Sequence, residues 1–311
     1  MQRTTTATLT TAGFIIAFTG AVLFSTKAIM VKLAFAGTGV NALSLLMLRM
    51  LCSLPFYIAV LWYSNTRQQQ KAPLTAKQWW QLLWLGIFGY YLSSLLDFEG
   101  LQYVSAGLER LILFLYPTFV VLINLIFFKQ KISGVQKLAL GLTYTGIAIA
   151  YYAEMQVDFS NRNFLLGSFL IFLCAVTYSL YIVGSGKLIP RIGATRFTTY
   201  AMLAATGGIF IHFIFRNNWT VFTGTGNTIW IYGLALAVVA TVIPSFMISA
   251  ALKKIGSNNV AIISSIGPVS TIVQAHFFLG ERMHAAQAVG TILVIAGILL
   301  IGWKKEQEDA V

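Results

Sequence analysis

Ten runs of mostly apolar residues, each of roughly 17 to 25, follow one another along the chain, separated by short polar loops. A helix needs about 20 apolar residues to cross the hydrocarbon core of a bilayer, at about 1.5 Å of rise each. Ten such runs in 311 residues leave little room for a water-facing domain. The predicted spans are 12–36, 42–63, 80–98, 105–128, 134–153, 164–183, 196–215, 228–251, 258–279 and 285–303. None keeps a consistent period-2 alternation, so helices are expected rather than barrel strands. Trp62-Tyr63, Trp79-Trp80, Tyr151-Tyr152 and Trp303 gather near predicted ends, as interfacial aromatic belts do.

Composition agrees with lipid as the solvent. Charged residues make up 10% of the chain and apolar residues 58%, against about 25% charged in soluble domains. The formal net charge is +12, which in a soluble protein would suggest nucleic acid. Here the basic residues are scattered among loops without a stripe or an arginine-rich helix, so nucleic acid is not an expected partner. Cys52 and Cys174 both fall inside predicted spans and form no disulfide framework or metal spacing. The chain carries no His-Glu-x-x-His, Gly-x-Ser-x-Gly or Walker A sequence. Neither an enzyme nor a cofactor is expected, and transport would draw on a gradient or on exchange. The first apolar run follows Arg3 but is too long for a signal peptide, so it is read as an uncleaved span.

Lys and Arg set the orientation. With a cytoplasmic N-terminus, fourteen of them fall in inner segments and three (Arg162, Arg216, Arg282) in outer loops. Both termini are therefore expected in the cytoplasm. The chain also repeats itself: residues 100–152 align with 251–303 at a constant offset, pairing Pro117 with Pro268, Lys131 with Arg282 and Gly146 with Gly297. Gly20–Ser25 match Cys174–Ser179 more weakly. Two five-span copies, 1–153 and 154–311, would lie in opposite senses because five is odd. Lys129–Lys131 on the basic side, against Glu281-Arg282 on the sparse side, fits that inversion. Inverted repeats around a shared central site are a recurring transporter architecture.

The chain resembles the drug/metabolite transporter superfamily, specifically its ten-helix EamA-type members. The resemblance rests on Leu101-Gln-Tyr-Val-Ser-Ala-Gly-Leu108, the apolar helix with Pro117, and Lys129-Gln-Lys-Ile-Ser133 before a Gly-rich helix. In the second copy it rests on Pro268 and Gly280-Glu281-Arg282-Met283. Lys129-Gln130-Lys131 and Glu109-Arg110 depart from the family's usual pattern. The resemblance implies an all-α polytopic membrane protein with ten transmembrane helices in two inverted repeats. It further implies a secondary transporter, by analogy an exporter, of a small metabolite such as an amino acid. Alternating access would proceed through a central cavity in an inner or plasma membrane. A membrane-embedded enzyme and a channel are the competing classes. The expected partners are the lipid bilayer, a small-molecule substrate and, as a coupling ion, the proton; no oligomeric state is assigned.

The intramembrane charges Lys27, Lys32, Arg49, Asp97, Glu99, Glu109 and Arg110 all belong to the first copy, and the second has none deep within a span. A charge at the bilayer centre costs about 2.5–3.5 kcal/mol on insertion scales, so these groups must pair, snorkel or line a wet cavity. Lys27 stands deep in its span, facing a cavity or pairing with Asp97 or Glu109. Lys32, Asp97 and Glu99 lie near span ends, where snorkelling competes with function. Glu109 shares a helical face with Tyr116, whereas Arg110 and Arg49 read first as structural partners. Tyr90, Ser94 and Asp97 form a polar stripe at i, i+4 and i+7. Gln274 and His276 are the second copy's polar candidates, against interhelical glue and a packed histidine. Pro117 and Pro268 are candidate mirrored gating kinks, against static bends.

Overall fold

A computed structural model describes residues 11–67, 73–128, 134–157, 163–216, 219, 226–264, 266–281 and 285–308. Among them the regular structure is entirely helical, in ten rods. These are α1 (Thr11–Thr38), α2 (Ala42–Arg67), α3 (76–100), α4 (106–128), α5 (Gly134–Val157), α6 (Phe164–Ile192), α7 (Ala194–Arg216), α8 (228–264), α9 (266–279) and α10 (Ala285–Glu308). The ten expected spans are therefore ten helices. Five stretches are long and apolar enough to cross a membrane: Thr11–Thr38, Ala42–Tyr63, Phe164–Ser185, Thr195–Arg216 and Thr228–Ile248. The outward surface is apolar, with Phe14, Ile15, Trp62, Trp80, Phe215 and Phe277 all exposed. That is an outside made for lipid. Lys129–Lys131 and Arg282, which carried the charge inversion, lie outside the described residues.

The two halves interleave. Helix α1 packs on α8 and α9, α2 on α7 and α8, α3 on α6 and α7, α4 on α6 and α9, and α5 on α10. Each buries its inner face against the other half. The closest approach is between α5 and α10: a Cβ on Gly146 would lie 2.5 Å from the carbonyl of Gly290, and one on Gly290 would lie 2.4 Å from that of Gly146. Only glycine lets two backbones meet this closely.

Four rods, α3, α4, α8 and α9, are not uniform, and proline explains the breaks in α4 and α8. Helix α4 consists of Ala106–Leu113 and Tyr116–Phe128, interrupted at Phe114-Leu115. Pro117 cannot donate to the carbonyl of Leu113, four residues earlier, and the first segment ends there. Residue 265, between Ile243–Ser264 and α9, lies outside the described residues. Pro117 thus lies in the first turn of its segment, where a missing N–H is tolerated. At Pro117 the described backbone shows a helix start rather than a mid-helix kink.

Helix α3 contains a π-helical turn at Ile87–Leu92 and α8 another at Val238–Val242. They begin 151 residues apart, the offset that aligns the two halves in sequence. In α8 the turn precedes Pro244, which cannot bond Ala240. In α3 the matching position is Ser93, whose N–H bonds Phe88 while its hydroxyl bonds the Gly89 carbonyl. A π turn frees carbonyls and often marks a functional position.

The loop expected between spans eight and nine, 252–257, is helical. Along α1, Gly20 meets Met247 and Ile248, Ala17 clusters with Ala251, Ile255 and Ile263, and Ser25 meets Gly267. The chain therefore runs down α1 and back up.

Replacing Gly146 by leucine must part α5 from α10, and overpacking of this kind costs about 1–3 kcal/mol. Thermal unfolding in detergent is expected to show a clearly lowered midpoint for Gly146→Leu. Gly207→Ala, where a Cβ meets nothing within 4 Å, is expected to leave it unchanged or raised.

Candidate functional site

A cavity of about 360 Å³ lies at the meeting of the halves. Seven helices line it. Phe24 and Lys27 come from α1, Arg49 from α2, and Gly89, Tyr90, Ser93, Ser94 and Asp97 from α3. Arg110, Phe114 and Tyr116 come from α4, Cys174 and Tyr178 from α6, Thr241 and Ile248 from α8, and Gly267 from α9. The π turns of α3 and α8 reach it, through Gly89 and Tyr90 and through Ala240 and Thr241. Gly89 is needed there for space: a Cβ would lie 2.2 Å from the Tyr181 ring.

At its centre Lys27 Nζ lies 2.7 Å from Asp97 Oδ2, with Asp97 fully buried. The alternatives for Lys27 thus merge, since it both pairs with Asp97 and faces the cavity. The carboxyl of Glu109 adjoins that of Asp97 from behind the wall, and Lys27 and Arg110 are its neighbouring cations. Glu109 is fully buried, with neither oxygen hydrogen-bonded among the described residues. Arg110 donates to Ser25 Oγ at 3.0 Å, and the Ser25 hydroxyl lies 3.3 Å from the carbonyl of Gly267. Arg49 donates to Ser94 Oγ at 2.9 Å and stacks over Phe98 at 4.9 Å. The Nε of each arginine is buried without a hydrogen-bond partner. Charge buried in this way is held by mutual neutralisation, because the low-dielectric surroundings strengthen each attraction.

The opposite wall is aromatic. Tyr116 meets Tyr178 edge-on at 5.3 Å, Tyr178 stacks on Tyr181 at 5.8 Å, and Tyr181 meets Tyr90 at 5.1 Å. The Tyr181 hydroxyl donates to that of Tyr90 at 3.4 Å. The weaker sequence match between the halves sets Lys27 in register with Tyr181. The charge of the lining therefore comes from the first copy alone, whereas its rings come from both.

Of the sequence candidates, Lys27, Tyr90, Ser94, Asp97 and Tyr116 line the cavity. Glu109 stands directly behind it, separated from Tyr116 by the break in α4. Glu99, Gln274 and His276 are not brought to it. Glu99 accepts from Gln102 Nε2 at 2.6 Å, and the Gln274 amide bonds Ser270, one turn back, at 2.8 Å. His276 is exposed, with Nδ1 3.1 Å from the Glu281 carbonyl. Pro268 is buried beside the lining residue Gly267, and Pro117 follows Tyr116. The sequence reading missed Arg49 and Arg110 as lining residues, and also Tyr178 and Cys174. The misses share a cause: charge marks a helix for pairing, whereas the identity of the facing helix depends on topology. The weak match of Gly20–Ser25 with Cys174–Ser179 was the available signal for Tyr178 and Tyr181.

Removing one partner of a buried pair strands the other, at about 3–5 kcal/mol. Lys27→Met is expected to lower the thermal midpoint sharply, and Lys27→Met/Asp97→Asn to recover most of the loss. A double variant no more stable than Lys27→Met would show that Asp97 is held by other partners.

The family model described as the EamA-like transporter family matches residues 11–152 and 165–303. An uncharacterized transporter of Bacillus subtilis (strain 168), YcbK, is 32% identical over 295 residues, 92% of each chain. An uncharacterized transporter of Archaeoglobus fulgidus is 22% identical, covering 72% of this chain and 76% of its own. A solved crystal structure aligns with a TM-score of 0.63 at 18% identity, over 93% of this chain and 95% of that one, a likeness of fold. Ten lipid-facing helices and the paired family match lead to one assignment: the chain belongs to the EamA-like transporter family, whose members are polytopic membrane transporters.

Proposed function

We propose that this protein is a secondary transporter that moves a small metabolite outward by alternating access. The observation that carries the reading is one cavity, lined from both halves and holding a buried ion pair. The halves, 1–153 and 154–311, act as two inverted repeats. The π turns of α3 and α8 begin 151 residues apart, the offset that aligns the halves, and Pro117 and Pro268 stand at the same offset. Exchanging the conformations of two such copies opens the cavity to alternate sides. Both termini lie in the cytoplasm, following the distribution of Lys and Arg. The reading requires no enzymatic step.

A polar clasp supports the same reading. Glu281, beyond α9, accepts from the Ala106 N–H at 3.1 Å, and its carboxylate lies 3.8 Å from Lys32 Nζ. Ser105 caps the same helix start by accepting from the Leu108 N–H. A carboxylate is favoured at a helix N-terminus, where free N–H groups and the dipole converge. Gly280, at φ 66°, ends α9 in the left-handed conformation and turns Glu281 toward this contact. Residues 32, 106 and 281 all fall on the side assigned as outer. The clasp joins the second half to the first there, and outward opening would break it.

Cys174 lines the cavity and is otherwise buried, which makes it a native probe of opening. In intact cells, Glu281→Ala is expected to raise the labelling rate of Cys174 by an external, membrane-impermeant thiol reagent several-fold. Cys52→Ala provides the single-thiol background. An unchanged rate would remove the clasp from the transport cycle. Saturable flux accelerated by substrate on the opposite side of proteoliposomes is the expected transport signature.

A further inference from the structure

The cavity's charge is unevenly distributed, and that imbalance indicates what it holds. Its lining carries three cations, Lys27, Arg49 and Arg110, against one carboxylate, Asp97. Counting Glu109 behind the wall still leaves a positive excess when all five are ionised. The one close pair within the lining, Lys27 with Asp97, cancels internally. The two arginines then stand against Glu109 alone, an excess of one positive charge. Arg49 is 4% exposed and Arg110 7%, each gives one described hydrogen bond to a neutral serine, and each keeps a buried Nε without a hydrogen-bond partner. Guanidinium groups match carboxylates in geometry and hold them by charge-assisted bonds.

The rest of the wall selects the body of the ligand. Phe24, Tyr90, Phe114, Tyr116 and Tyr178 face the cavity, and such rings receive flat or apolar groups by stacking and edge contacts. A free ammonium group finds no unpaired anion in the lining, since Asp97 is engaged by Lys27. At about 360 Å³ the space suits a small ligand.

We propose that the cavity binds a small organic anion, a carboxylate on a compact aromatic or apolar body, with Arg49 and Arg110 as its anion receptors. The inference rests on the transporter reading and specifies its substrate class. It also supplies a driving force for export. A membrane potential negative inside pushes a net anion outward, by roughly fifty-fold in equilibrium ratio per 100 mV for one charge.

The test uses the purified full chain with three probes sharing one ring: phenylacetate, phenethylamine and phenylalanine. Phenylacetate is expected to raise the thermal midpoint in a saturable way, phenethylamine is expected to leave it unchanged, and phenylalanine to act weakly. Arg49→Gln and Arg110→Gln are each expected to weaken the phenylacetate effect about tenfold or more, with Arg49→Lys restoring part of it. The unliganded midpoint of each variant reports folding, and either arginine suffices if the other variant fails to fold. In proteoliposomes a potential negative inside is expected to speed phenylacetate efflux. A shift by the amine alone, no shift by any probe, or a phenylacetate shift unaltered in the folded variants would each overturn the anion site. Saturable counterflow of phenethylamine without anion binding would overturn the site and leave the transport reading standing. Phenylacetate binding without flux would do the reverse.

Discussion

Charge without water is the constraint on which this molecule depends. In a bilayer an ionised side chain must find its opposite, and the pair Lys27–Asp97 does so at 2.7 Å. Around it Arg49, Glu109 and Arg110 are buried too, and none is tolerable without the others nearby. Because these groups come from α1, α2, α3 and α4, their mutual neutralisation draws the first half together around one point. The second half encloses that point with rings and small residues. The tolerance for so much buried charge is itself informative, since an apolar core of equal volume would pack at lower cost. Retaining it fits a role that needs charge in the middle of a membrane.

The fold was largely legible because lipid imposes a coarse grammar. A span is a length of apolar sequence, and such lengths survive ignorance of packing. Helices α2 and α6 therefore begin within a residue of their expected positions. Details that depend on single backbone hydrogen bonds were less legible. Pro117 and Pro268 stood out at once, yet a proline in an apolar run reads equally as a kink or a start. For Pro117 only the end of the preceding segment, at Leu113, decides it. The π turns left no readable trace, because an extra residue in a helix does not change composition.

The candidate site was legible on one side only. Lys27, Tyr90, Ser94, Asp97 and Tyr116 are polar groups in apolar helices and announce themselves. Gln274 and His276 do so equally, but one satisfies itself within its helix and the other faces outward. Polarity identifies residues that need a partner without saying whether the partner is local. Tyr178 and Tyr181 were hidden for the opposite reason. In a chain whose membrane belts are rich in aromatics, a ring facing a cavity is indistinguishable in sequence from one facing lipid. Arg49 and Arg110 were visible as charges, yet the helices opposite them follow from the way the halves interleave.

The contact between Gly146 and Gly290 bears on how such a molecule can move. Side chains that interdigitate can re-sort into a second arrangement, but two bare backbones pressed together have nothing to re-sort. Sliding α5 past α10 would drive Cβ-bearing neighbours, Leu293 and Ala150 among them, into the opposing main chain. The pair therefore serves as a keel. In the proposed transport cycle the helices around the cavity would rock with this seam as the fixed line about which they turn, so that stiffness there makes mobility elsewhere directional.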